Sequence, residues 1–160
     1  MLIVITGTPG TGKTKIAEIV AKKFQMKLVN DRKFAQQNKC GKLDKKTKEL
    51  EVDLGKFRKK IQEFVKTNPN AVLEGHLFCE FPIKVRLVFV LTCNTRILEK
   101  RLRTRNYSDV KVLDNVFCEE EGYCLKKARK NYKKVHKLEN NKTFKHLQNN
   151  IIKIIKKFND

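Results

Sequence analysis

Two kinds of apolar run alternate along this chain. Residues 2–5 (Leu2, Ile3, Val4, Ile5), Leu28 with Val29, Ala71 to Leu73, Val85 to Leu91 and Val135 to Leu138 are short and rich in β-branched side chains, which suits buried parallel strands. Between them, apolar residues recur at spacings of three and four, as on one face of a helix. Ile16, Ile19, Val20 and Phe24 form one such face; Leu54, Phe57, Ile61, Phe64 and Val65 a second; Ile97, Leu98 and Leu102 a third. Val112, Val116, Phe117, Cys124 and Ala128 trace what reads as one long amphipathic helix, and Leu147, Ile151, Ile154, Ile155 and Phe158 close the chain with another. Asp53, Asn94 and Thr143 stand where side-chain oxygens would cap three of these helices. The alternation predicts an α/β fold: a five-stranded parallel sheet with helices on both faces, in a single domain over residues 1–160. Its ligands belong at the carboxyl ends of the strands.

Residues 32–49 break the pattern. This stretch is polar and lysine-rich with few apolar anchors, so it is expected to bury little and to move.

Chemistry enters at the first strand-to-helix turn. Gly7-Thr8-Pro9-Gly10-Thr11-Gly12-Lys13-Thr14 fits the phosphate-loop pattern G-x-x-x-x-G-K-[ST] without a mismatch. Glycines allow successive N–H groups to converge on one concavity, at which the following helix aims its positive end. Lys13 adds a point charge for β- and γ-phosphates, and the Thr14 hydroxyl is placed to ligate Mg²⁺. This predicts a nucleotide site.

Two further groups should share the same mouth. Glu74 ends the third strand, where a carboxylate can hold Mg²⁺ through water or orient an attacking group. His76 reads equally as a proton relay, a water-positioning group or a structural histidine. Arg101 and Arg105 lie four apart, which on one helix end would put both on one face toward a migrating phosphoryl group; Arg103 would point away.

Composition changes the emphasis. Lysine and arginine total 37 against 17 acidic residues, a net charge of +20 that a small metabolic enzyme does not need and that suits a polyanion such as RNA. The five cysteines show no C-x-x-C pair, and Cys79 and Cys93 flank expected core strands. No segment approaches a membrane span and no leader precedes the first strand, so a cytoplasmic protein is expected.

Three blocks together resemble the atypical adenylate kinases related to adenylate kinase isoenzyme 6, the coilin-interacting nuclear ATPase protein, in an archaeal-like form. They are Ile5 to Thr14, Glu74-Gly75-His76 through Phe81-Pro82, and Arg101-Leu102-Arg103-Thr104-Arg105-Asn106-Tyr107. The resemblance implies the nucleoside-monophosphate-kinase fold, with ATP contacts at Gly10, Gly12, Lys13, Thr14, Lys15 and a lid arginine at Arg105. Lys13, Glu74, His76, Arg101 and Arg105 would be catalytic, and Thr14 and Glu74 would hold the metal. It implies a monophosphate-binding segment near residues 30–53 and a lid near residues 104–114. It further implies exchange of ATP plus AMP with two ADP, ATP hydrolysis, and a part in small-subunit rRNA maturation in contact with a small-subunit ribosomal protein. Glu74 replaces the family's usual Asp, and Asn106 its usual Gly, at a turn where Asn tolerates left-handed backbone.

Overall fold

The structure is a computed structural model describing residues 1–47 and 49–158. Lys48, Asn159 and Asp160 lie outside the described residues, and with them that part of the expected monophosphate segment and the end of the expected domain.

Strand β1 (Leu2–Gly7) lies at the centre of a five-stranded sheet of order β2-β5-β1-β6-β7, with β2 Lys27–Asn30, β5 Ala71–Glu74, β6 Leu87–Thr92 and β7 His136–Glu139. Every pairing in it is parallel. The strands read as continuous apolar runs because both of their faces are covered. Ile3 and Ile5 of β1, Val72 of β5 and Phe89 and Leu91 of β6 point into one core. That core is closed by Ile16 and Val20 of helix α1 (Lys13–Lys23) and Leu147, Ile151 and Ile155 of α7 (Phe144–Lys157). Val4, Leu73, Val88 and Val90, the alternate positions, point into a second. There they meet Phe57 and Ile61 of α3 (Leu54–Thr67) and Cys124 and Ala128 of α6 (Tyr123–Asn131). The expected caps form: Asp53, Asn94 and Thr143 accept from the backbone N–H of Lys56, Arg96 and His146.

Two expectations need correction and another gains detail. Residues 32–49 are mostly exposed, as expected, yet regular structure forms in them: α2 (Asp31–Gln37) and β3 (Gly41–Leu43), which pairs antiparallel with β4 (Leu50–Val52) just beyond. Phe34, Ala35 and Cys40 of this region are buried, Phe34 edge-on to Phe57 at 5.8 Å between ring centres. These few anchors tie the segment to the core. The long helix is two, α5 (Asp109–Glu120) and α6, broken where Gly122 takes φ 63°. Phe117, expected on the apolar face, is exposed rather than core. Third, α4 (Thr95–Arg103) ends before Arg105, so Arg101 and Arg105 do not share a helix face.

The turn that carries His76 is held from below. A 3₁₀ turn, His76–Cys79, follows β5, and the buried Tyr132 hydroxyl donates to the Phe78 carbonyl at 2.7 Å. Asn131 donates to the Cys79 carbonyl at 2.8 Å. Tyr132→Phe leaves the Phe78 carbonyl buried without its donor, and is expected to lower stability by about 1–2 kcal/mol in chemical denaturation.

Candidate active site

The phosphate loop joins β1 to α1 at the sheet position where strand order reverses, with β5 and β6 on either side of β1. Gly10 and Gly12 take φ of 92° and 97°, conformations that side chains disfavour. Space excludes side chains there as well. A Cβ on Gly10 would lie 2.8 Å from Leu98, and one on Gly12 would lie 2.6 Å from the Asn140 amide nitrogen. Helix α4 and the turn after β7 thus press on the loop from outside and set its shape.

Lys13 is almost wholly buried and donates to the Thr8 carbonyl at 2.9 Å. Desolvation pulls its pKa below the ordinary lysine value and Arg105 adds to the effect, while Glu74, Cys124 and Asp31 oppose it. A buried ammonium with a neighbouring guanidinium is a site that gains from a polyanion. The Thr14 hydroxyl donates to one Glu74 oxygen at 3.1 Å, and Asn30 donates to the other at 2.7 Å. This pairing of a hydroxyl with a buried carboxylate, both oxygen donors, fits a hard cation such as Mg²⁺, which commonly takes one or two carboxylates with phosphate and water oxygens.

Around this point opens a cleft of about 860 Å³. The loop residues Gly10, Gly12, Lys13, Thr14 and Lys15 line one wall, with Glu74 and His76 at its floor. Asn30 to Arg32 and the β4 strand line a second wall, and Arg105, Tyr107 and Lys111 a third. The last two walls touch across the opening, where Lys111 pairs with Glu49 at 2.7 Å. Exposed pairs of this kind contribute at most about 1 kcal/mol, so the contact reports proximity rather than a lock.

Lys13, Thr14, Lys15, Glu74, His76 and Arg105 therefore meet in one place, as the sequence suggested. Arg101 does not line the cleft: its guanidinium lies 3.4 Å from the Cys93 sulfur and donates to the Asn140 carbonyl at 3.2 Å. Asn106 takes φ 54°, the left-handed turn expected of it.

Sequence reasoning missed three residues. Asn140 donates to the Thr11 carbonyl at 2.9 Å, tying the turn after β7 to the loop. Glu119 accepts from the Thr8 hydroxyl at 2.5 Å and from the Cys93 N–H at 2.7 Å, clamping loop and β6 to α5. Asp31, only 4% exposed, accepts from the N–H groups of Arg32 and Leu77 and lies 3.5 Å from His76 Nδ1. Asp31 and Asn140 share a legible signal: each is a polar residue directly after a parallel strand, at the ligand end of the sheet.

A phosphate loop at the switch point of such a sheet, facing a deep cleft, defines a phosphate-loop kinase fold. Shikimate kinase from Bacteroides thetaiotaomicron superposes with a TM-score of 0.64 at 12% identity, covering 98% of each chain. Deoxyadenosine kinase from M. mycoides, solved with bound dATP, also gives 0.64 at 14% identity, covering 98% of this chain and 100% of that one. Residues 3–122 match a family model described as an AAA domain. A Pyrococcus abyssi protein bearing the provisional name adenylate kinase is 38% identical over 157 residues, 98% of this chain and 84% of its own. The adenylate kinase isoenzyme 6 homolog of Caenorhabditis elegans is 32% identical over 146 residues, 88% of this chain and 80% of its own. The chain belongs to this family of adenylate-kinase-like nucleotide kinases.

Proposed function

We propose that the chain moves the γ-phosphoryl group of ATP onto a nucleoside monophosphate, AMP foremost, and hydrolyses ATP slowly when no acceptor is bound. The observation that carries this reading is the three-walled cleft, in which the phosphate loop faces two separate segments that meet at Lys111 and Glu49. In the proposal residues 1–160 act as one kinase domain, with the acceptor held by residues 30–53 and residues 104–114 serving as lid.

Phosphoryl transfer needs charge on the oxygens of a loose transition state to be neutralised and water to be kept out. Lys13 and the loop amides at Gly10 and Gly12 would hold the donor phosphates, with Lys15 at the loop's outer edge. Arg105, whose charge already bears on Lys13, would stabilise the migrating group. Thr14 and Glu74 would hold Mg²⁺, which when bound neutralises phosphate charge. Arg101 would act through the turn at Asn140, keeping it against the loop. His76 would position the attacking group. Desolvation in the cleft, with help from Lys13, keeps His76 below the ordinary histidine pKa despite the opposing pull of Asp31, which favours a neutral ring near pH 7.

ADP formation from ATP is expected to rise by about 10²-fold or more on adding AMP, with weaker responses to other monophosphates, in a coupled assay across a monophosphate panel. Equal rates with and without every monophosphate would remove the transferase reading.

The net charge of +20 favours a second reading, an ATP-driven assembly factor for the small ribosomal subunit that binds its rRNA and one of its proteins in the cytoplasm. Slow AMP-independent hydrolysis that responds to ribosomal RNA, with the response fading as salt rises, would support it. No helix among the described residues is long and apolar enough to cross a membrane.

A further inference from the structure

Helices α5 and α6 meet at Gly122, whose left-handed backbone turns the chain sharply between them. In that elbow lies a groove of about 440 Å³, within the size range of small-ligand pockets and sharing no lining residue with the nucleotide cleft. Two aromatic side chains line it, Phe117 from the last turn of α5 and Tyr123 from the first turn of α6. Both are open to solvent, Phe117 by 64% and Tyr123 by 40%.

The rest of the groove is mainly cationic. Lys126, Lys127 and Lys130 line it from α6, and Glu121 is the one carboxylate among the described lining residues. Lys127 pairs with Glu80 at 3.3 Å, and its ammonium stands 5.4 Å from the centre of the Tyr123 ring. Lys126 lies 3.8 Å from Glu121, in a pair exposed enough to contribute little. Lys130 is exposed and pairs with no carboxylate among the described residues. Open rings beside a row of ammonium groups match two features of one nucleotide: the rings take the flat face of a base, and the lysines take its phosphate. A duplex keeps those faces in its own stack, so the groove suits an unpaired nucleotide. A protein segment would instead cover the whole exposed row of α5, Val110, Leu113 and Phe117, of which only Phe117 enters the groove.

We propose that the elbow between α5 and α6 binds an unpaired nucleotide of RNA, its base against Phe117 and Tyr123 and its phosphate at Lys126 and Lys130. The inference rests on the second reading above, in which the chain contacts ribosomal RNA, and gives that contact a place. The same helix α5 holds the phosphate loop through Glu119 and the Thr8 hydroxyl, so RNA in the elbow and nucleotide in the cleft bear on one element.

The test is binding of a fluorescent oligouridylate, and of an RNA duplex of equal length, to the full chain. Anisotropy is followed over a range of salt, with ADP in excess to occupy the cleft. Phe117→Ala, at an exposed position where the fold loses little, is expected to weaken the single strand by about tenfold or more and the duplex by less than about twofold. Tyr123→Ala should act in the same sense, whereas Tyr123→Phe keeps the ring and should stay within about twofold of wild type. Lys130→Gln is expected to reduce the slope of log affinity against log salt by about 0.7, while Phe117→Ala leaves that slope unchanged. Single-strand binding that survives both ring removals would overturn the proposal and leave the exposed row of α5 to a protein partner, with the RNA reading still standing. Parallel losses for single strand and duplex would overturn it as well, since stacking on an unpaired base would then play no part. A wild type that binds neither RNA at low salt would end the assembly-factor reading and this proposal together.

Discussion

Lys13→Ala is expected to lower nucleotide turnover by at least about 10²–10³-fold, with the folded state as stable as before or more so. Both halves follow from one geometry. The ammonium is only 7% exposed and, among the described residues, has a single hydrogen-bonded partner, the Thr8 carbonyl. That carbonyl also accepts from the Thr11 hydroxyl at 2.8 Å, so it keeps a donor when Lys13 is cut back. The variant therefore sheds a charge that burial disfavours and leaves no new orphan in the loop. What it loses is the charge that in the proposed mechanism meets the phosphates. Steady-state rates and a thermal melt on the same sample check the pair of outcomes. Full activity in Lys13→Ala would end the mechanism; a large fall in melting temperature would mean that the lysine holds the loop together instead.

The donor half of this site was legible because its determinants are contiguous. The loop motif, its strand and its helix occupy adjacent residues, and the apolar run Ala71 to Leu73 with the Asp53 and Thr143 caps fixed elements to within a residue or two. The facing wall, from Asn30 to the β4 strand, was not legible, because the residues holding it act at a distance. Phe34 and Cys40 look isolated in a lysine-rich stretch until Phe57 and Ile61 arrive from α3. Asp31 has meaning only opposite Gly75 on a neighbouring strand, and Asn140 only against Thr11, 129 positions away along the chain. The helix break at Gly122 is a different failure. The spacing of Val116, Cys124 and Ala128 continues through it, so periodicity alone cannot see a turn that a single left-handed glycine makes. Arg101 shows a related limit: spacing of four implies a shared face only while the helix lasts, and α4 stops before Arg105.

Gly7→Ala is expected to destabilise the chain by about 3–5 kcal/mol and to abolish nucleotide binding, whereas Gly122→Ala is expected to lose only about 1 kcal/mol. Both glycines have positive φ, 139° and 63°, so backbone strain alone would not separate them so widely. Space does. A Cβ at Gly7 would lie 2.3 Å from the Leu91 carbonyl oxygen and 3.2 Å from the Thr11 hydroxyl. Gly7 is paired in register with Leu91, so relief requires β1 and β6 to part at the centre of the sheet, just where the phosphate loop departs. Unlike the side-chain tips near Gly10, a paired backbone has no rotamer to which it can retreat. A Cβ at Gly122 meets nothing within 4 Å, which leaves only the left-handed conformation to oppose it. Chemical denaturation of the two variants gives the difference directly, and ATP titration of whatever fraction of Gly7→Ala folds tests the site. Comparable losses would mean that β1 and β6 do not approach this closely, and that the loop is not held at the sheet centre by their pairing.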